Sequence, residues 1–304
     1  MNKKFTYKVY VPGLQDYRRY TMFDNQTHLS LAKYIQNDDN QKVTEVFEHL
    51  IVGLCEDQVD YNTLTCVDKF IILLNIRIMS VSDQFRFETK VGTETESVKK
   101  EVAIDLYDIL DESTNHPLNT DYELNSPEGY QLILTNPTQF HVERVEDLIL
   151  HVLKRLTISG KMYDLTNLSV NQKEQILDEL PGDSLTNIVK YIKNIDTKYR
   201  ITVFRSEYRL SDDLANLQLR VYDNSFYEFI KMLYNCNLEE QYYIRYAMTK
   251  HMNFNLDQIE RMTPIDTRTY IKLYQKELDD QRKASEKNQP TENMAGSLPI
   301  PGQL

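Results

Sequence analysis

The sequence predicts an α+β fold: N-terminal strands and a hairpin around a buried helix, followed by a mostly α-helical C-terminal region and an extended tail. Three observations carry this. Residues 5–14 and 84–106 alternate apolar and polar side chains with a period of two. Residues 64–80 form the most apolar run of the chain, with ten large apolar side chains in seventeen positions and neither Gly nor Pro. From residue 142 onward, apolar side chains recur mostly at spacings of three and four.

The first strand, Phe5-Thr-Tyr-Lys-Val-Tyr-Val, ends at the Pro12-Gly13 turn, and residues 18–23 are its expected hairpin partner. Helices are expected over residues 29–35 and 43–55, the second with a stripe of Val46, Phe47, Leu50, Ile51 and Leu54. Residues 64–80 then read as a buried helix, because the apolar positions spread around nearly its whole circumference at about 100° per residue. A membrane span is excluded by Asp68, Lys69, Asn75 and Arg77 within it. Asp68 and Arg77 lie roughly 13 Å apart along the axis on opposite sides, too far to pair. Each therefore needs its own partner, and both are read as structural charges that fix loops and the hairpin onto the helix.

Residues 84–91 and 97–106 form the expected hairpin. Residues 111–129 shift to Asp, Glu, Asn, Ser and Pro and read as a connecting loop, followed by a short strand over 130–135. A helix is expected over 142–156, with Val145, Leu148, Ile149, Val152 and Leu156 on one face. Ser169-Val-Asn-Gln172 has the pattern of a capping box, opening a helix that ends at Leu180-Pro181-Gly182 and is followed by a second over about 184–195. Residues 199–213 hold a short extended piece. Helices are then expected from Asp223 or Asn224, over 239–252 as a half-buried tyrosine-rich segment, and from Thr263-Pro264, where Pro occupies a position whose N–H has no helical partner. Residues 1–125, 126–288 and 289–304 are thus expected as an α+β domain, a mainly helical domain and a tail.

Net charge is −11, which argues against nonspecific nucleic-acid binding. Cys55, Cys66 and Cys236 are odd in number at unrelated spacings and read as reduced, buried thiols of a cytosolic setting. No apolar leader precedes the first strand. Metal binding is not expected: no two of His28, His49, His116, His141, His151 and His251 are four apart, and no C-x-x-C occurs. Ser159-Gly160-Lys161 lacks the earlier glycine and the Ser/Thr of a phosphate-binding loop, and no G-x-S-x-G elbow is present, so neither a nucleotide cofactor nor a serine nucleophile is expected. The hairpin over 169–195 carries too few cations for a DNA reader. In the tail, Leu298, Pro299, Ile300 and Pro301 read as a partner-docking peptide kept extended by its prolines.

Several segments in order carry a resemblance: Leu64-x-x-x-Asp68, then Ile72-Leu-Leu-x-Ile-Arg77-x-x-Ser80 with Phe85-x-Phe87. Further on come Leu168-Ser169 to Leu180-Pro181, Asn224-x-Phe226-x-x-Phe229-Ile230-x-x-Leu233, and Met262-Thr263-Pro264 with Tyr270-Ile271. Over most of residues 5–285 the chain resembles the baseplate hub and hub-assembly protein family of T-even-type contractile-tail bacteriophages. It departs from that family in a cysteine-free hairpin turn and a longer tail, so no cysteine-linked metal site is carried over. The resemblance implies a non-enzymatic virion protein of the tail baseplate, synthesised in the host cytoplasm. Its implied partners are other hub proteins and the tape-measure protein. Two alternatives accompany it: an assembly chaperone absent from the mature virion, and a carboxylate-dependent hydrolase.

Overall fold

Alternating side chains set the first hairpin, in which Thr6–Val11 (β1) pairs antiparallel with Asp16–Thr21 (β2) and turns the Val9, Val11 and Tyr20 side chains inward. The structure, a computed structural model, describes residues 5–92, 97–115, 121–125, 129–158, 160–178, 200–202, 218–220 and 223–287. Two helices follow, Asn25–Gln36 (α1) and Asn40–Gly53 (α2). They start at Asp24 and Asp39, whose carboxylates accept the Thr27 and Lys42 amides at 2.9 and 3.1 Å. On α2 the buried stripe is Val43, Phe47, Leu50 and Ile51.

The apolar run becomes Cys66–Ser80 (α3), in which every residue except Asn75 and Met79 is buried. Apolar side chains on all faces leave such a helix stable only when surrounded, and each fully buried Leu, Ile or Phe contributes roughly 1.5–3 kcal/mol. The surrounding layer consists of β1, α2, Leu106–Asn115 (α4), Ser225–Tyr234 (α7) and the start of Pro264–Lys287 (α10). Phe70 meets Phe226 edge-on at 4.8 Å and Phe229 at 6.2 Å. Gln84–Gly92 (β3) and Ser97–Asp105 (β4) form the expected hairpin, with Phe85 opposite Ile104.

The middle of the chain departs from expectation. The polar stretch assigned to a loop from residue 111 begins inside α4, whose Ser113 and Thr114 hydroxyls turn back onto the carbonyls of Ile109 and Leu110. Tyr122–Asn125 (β5), within the same stretch, pairs with Tyr130–Leu134 (β6). The helix expected over 142–156 stops early: Val145–Val152 (α5) passes directly into a strand, Leu153–Ile158 (β7). Leu153 and Leu156 are both buried there although three apart, because the strand bulges at Lys154, which has no partner between the Leu134–Leu153 and Ile133–Arg155 pairs, and the extra residue returns both leucines to one face. With Lys161–Asp164 (β8) these strands make a four-stranded antiparallel sheet in the order β5-β6-β7-β8, so the region after residue 126 is less purely helical than its spacing predicts. The boundary expected at 125/126 falls between two paired strands.

The capping box at Ser169 opens Val170–Asp178 (α6), with Gln172 Oε1 2.9 Å from the Ser169 amide. The second helix expected over 184–195, and the tail, lie outside the described residues. The extended piece near residue 200 is Arg200–Thr202 (β9), paired with Gln218–Arg220 (β10). The chain continues through α7, Leu238–His251 (α8), Leu256–Arg261 (α9) and α10. At the start of α10 the Thr263 hydroxyl donates to Asp266 at 2.7 Å and accepts the Asp266 amide at 3.2 Å. The architecture is α+β, and no described helix is long and apolar enough to cross a membrane.

Candidate interaction site

The polar residues of α3 are the joints by which neighbouring elements are fixed to it. At its N-terminus Thr65 and Asp68 form a capping box, the Asp68 amide donating to the Thr65 hydroxyl at 3.1 Å and the carboxylate taking the Thr65 amide at 3.1 Å. The other carboxylate oxygen accepts the Gly13 amide at 2.8 Å. A Cβ at position 13 would overlap that carboxylate, so the close approach requires glycine. Lys69, 2 % exposed, donates to the Thr138 carbonyl at 2.6 Å and lies over the Tyr61 ring at 3.6 Å; burial pushes its ammonium down to about 8.

At the opposite end Arg77 donates from Nε to the Leu233 carbonyl at 2.9 Å and from Nη1 to the Ser82 carbonyl at 2.8 Å. Leu233 lies on the last turn of α7, where helix carbonyls have no helical donor. Arg77 thus closes α7 onto the turn that follows α3, and Asp68 and Arg77 do not meet. The Tyr234 hydroxyl adds a bond to the Leu73 carbonyl at 2.8 Å. His28, packed edge-on against Phe23 at 5.6 Å, is buried beside this joint. Burial first, then the charges of Arg77 and Arg268, push its pKa down to about 4, so it is neutral at physiological pH.

The last two helices are held to the body by Asn25, and α8 packs against α1 and α9. The Asn25 amide nitrogen donates to the Ile259 carbonyl at 2.7 Å and the Thr267 hydroxyl at 2.6 Å, and its backbone N–H reaches the Met262 carbonyl at 2.8 Å. Once so fixed, the three helices present apolar surface outward. Met248 is the one buried residue of α8, and Tyr242, Tyr243 and Tyr246 lie on the opposite side of the helix, with Tyr243 69 % exposed. This differs from the half-buried helix that the tyrosine content predicts, because only the side carrying Met248 packs inward. Lys33 lies 5.7 Å from the Tyr242 ring and Lys250 donates to the Tyr246 hydroxyl at 2.8 Å. Leu256 on α9 and Tyr270, Leu273 and Leu278 on α10 are exposed as well. Aromatic side chains combine large apolar area with few rotatable bonds, which suits them to protein interfaces.

Among the described residues no three His, Cys, Asp or Glu side chains come together as a metal-ligand set. Burial pushes the Cys66 thiol well up and Cys236 up to about 11, which disfavours the thiolate a nucleophile needs. Thr65 and Asn25 escape the sequence reading for different reasons. Thr65-x-x-Asp68 matches the capping-box pattern and was available as a signal; nothing local marks Asn25, whose partners lie more than two hundred residues away. The tail residues Leu298, Pro299, Ile300 and Pro301 lie outside the described residues.

No curated protein and no solved structure matches the chain. The family model described as T4 bacteriophage base plate protein matches residues 3–212, which is more than half of the chain. The match includes α3 with the Asp68 joint and the Arg77 side chain, but ends before α7, whose Leu233 carbonyl Arg77 holds, and so falls short of the 5–285 span of the resemblance. The chain belongs to the T4 bacteriophage base plate protein family and is a structural protein of the phage tail baseplate, in contact there with other baseplate proteins.

Proposed function

We propose that this chain is a component of the baseplate hub that is retained in the finished particle and joins its neighbours by protein contact, without catalysis. The observation that carries the reading is the number of large apolar side chains exposed on α8, α9 and α10, namely Tyr242, Tyr243, Tyr246, Leu256, Tyr270, Leu273 and Leu278, with α9 and α10 anchored by Asn25. Exposed apolar side chains that are scattered singly need no explanation, but several on adjoining helices mark a contact surface. The chain is made in the host cytoplasm and meets other hub proteins, among them the tape-measure protein, as assembly proceeds. The body around α3 holds the contact helices in place, and the Leu298-Pro-Ile-Pro301 segment adds a second contact.

Quantitative mass spectrometry of purified virions, with cross-linking at Lys250 and Lys272, tests this. A hub component is present in a fixed ratio to the other hub proteins and cross-links to them. Absence from the virion, with presence in unfinished baseplates, would assign the chain to an assembly chaperone instead. Deleting residues 290–304 is expected to leave the melting temperature unchanged and to weaken incorporation; normal incorporation would remove the tail from the account.

A further inference from the structure

The C-terminal end of α3 opens into a cleft of about 750 Å³ between the 81–86 segment, α8 and α10. Four of its lining side chains are cationic, Arg77, Arg86, Arg268 and Lys272, against the two carboxylates Asp83 and Glu240. That balance is opposite to the −11 of the whole chain. Arg77 is 6 % exposed, and with Nε and Nη1 committed to carbonyls its Nη2 has no hydrogen-bond partner among the described residues. Arg268 donates to the Val81 carbonyl at 3.3 Å. Neither guanidinium is in an ion pair among the described residues. They are close enough that the Arg268 charge disfavours that of Arg77, and both act against protonation of His28. Like charges crowded in a partly desolvated cleft make a site that an incoming anion relieves.

We propose that this cleft seats an acidic segment of a partner protein, its carboxylates paired with Arg77, Arg268 and Lys272. Arg77 has Nη2 left to donate to a carboxylate, while Arg268 and Lys272 add charge-assisted donors beside it. Phe85, Ile244 and Ile271 line the cleft beside them and offer apolar contact to the segment's other side chains, and Gln241 and Gln275 offer hydrogen bonds to its backbone. Duplex DNA carries a charge every ~1.7 Å and extends far beyond a cleft with four cations on a chain of net charge −11, whereas a short acidic segment ends within it. Arg77 and Arg86 belong to the stretch that the family model matches, while Arg268 and Lys272 come after it. The site is therefore completed by helices that follow that stretch.

The test is fluorescence anisotropy of the full chain with a labelled oligo-glutamate peptide, alongside a single-stranded oligonucleotide of equal charge. The peptide is expected to bind with an affinity that falls as salt rises. Arg268→Gln and Lys272→Gln, both on the cleft wall, should together weaken it about tenfold while the chain stays folded, with the melting temperature lowered by no more than about 4 °C for the lost bond to Val81. Lys42→Gln, elsewhere on the surface, and alanine at Tyr242, Tyr243 and Tyr246 should leave it unchanged. No peptide binding at low salt, equal binding by the Arg268 and Lys272 variants, or tighter binding of the oligonucleotide would each overturn the proposal.

Discussion

The amide of Gly13 donates to Asp68 at 2.8 Å across fifty-five residues of chain, while the other oxygen of the same carboxylate takes the Thr65 amide and hydroxyl at 3.1 and 2.7 Å. One buried side chain therefore caps α3 and ties the β1–β2 turn to it. Asp68→Ala leaves two part-buried amides without their acceptor and removes the capping box, with an expected loss of about 2–3 kcal/mol in urea unfolding. Gly13→Ala is expected to cost a comparable amount, because its Cβ and the carboxylate cannot occupy the same space. Asp68→Asn keeps the shape and should lose less. A wild-type midpoint for Asp68→Ala would remove this joint from the account.

Arg77 performs the matching task at the other end of α3. Arg77→Met is expected to destabilise by about 2–4 kcal/mol, since the buried Leu233 carbonyl and the part-buried Ser82 carbonyl lose their donor. Arg77→Lys should recover only part of this, because a single ammonium does not reproduce the two-nitrogen fork. Thermal melts of the three proteins check the ranking.

The core of this fold was legible where the signal is local. Period-two runs gave β1 and the β3–β4 hairpin, and Thr263-Pro264 gave the start of α10. The 64–80 run gave α3 and the need of Asp68 and Arg77 for partners. What was not legible depends on the rest of the fold. Leu153 and Leu156 have helical spacing, and only pairing with β6 through a bulge at Lys154 brings them to one face of a strand. The tyrosines of α8 suit a core or a surface equally, and the packing of Met248 decides. Asn25 and His28 gain their roles from residues far along the chain, which no spacing rule reports.

His28 makes stability depend on pH in a definite direction. Its pKa is about 4 in the folded chain and about 6.5 when unfolded, so between these values the unfolded chain binds more protons. The contribution is fully present above about pH 6.5 and is lost as pH falls through about 4, by up to about 3 kcal/mol. His28→Gln removes this titration. The fall in unfolding free energy over that window should be smaller in the variant by about this amount; parallel pH profiles for the two proteins would contradict the assignment.

In the proposed role the body around α3 is scaffold and the outward tyrosines make the baseplate contact. The direct measurement is incorporation of a Tyr242→Ala, Tyr243→Ala, Tyr246→Ala chain into baseplates, with its melting temperature recorded beside it. Because these side chains are exposed, stability should change by less than about 1 kcal/mol. Buried aromatic anchors at interfaces are each worth about 2 kcal/mol or more, so incorporation should fall at least about tenfold. A folded variant that enters baseplates at the wild-type level would contradict the account.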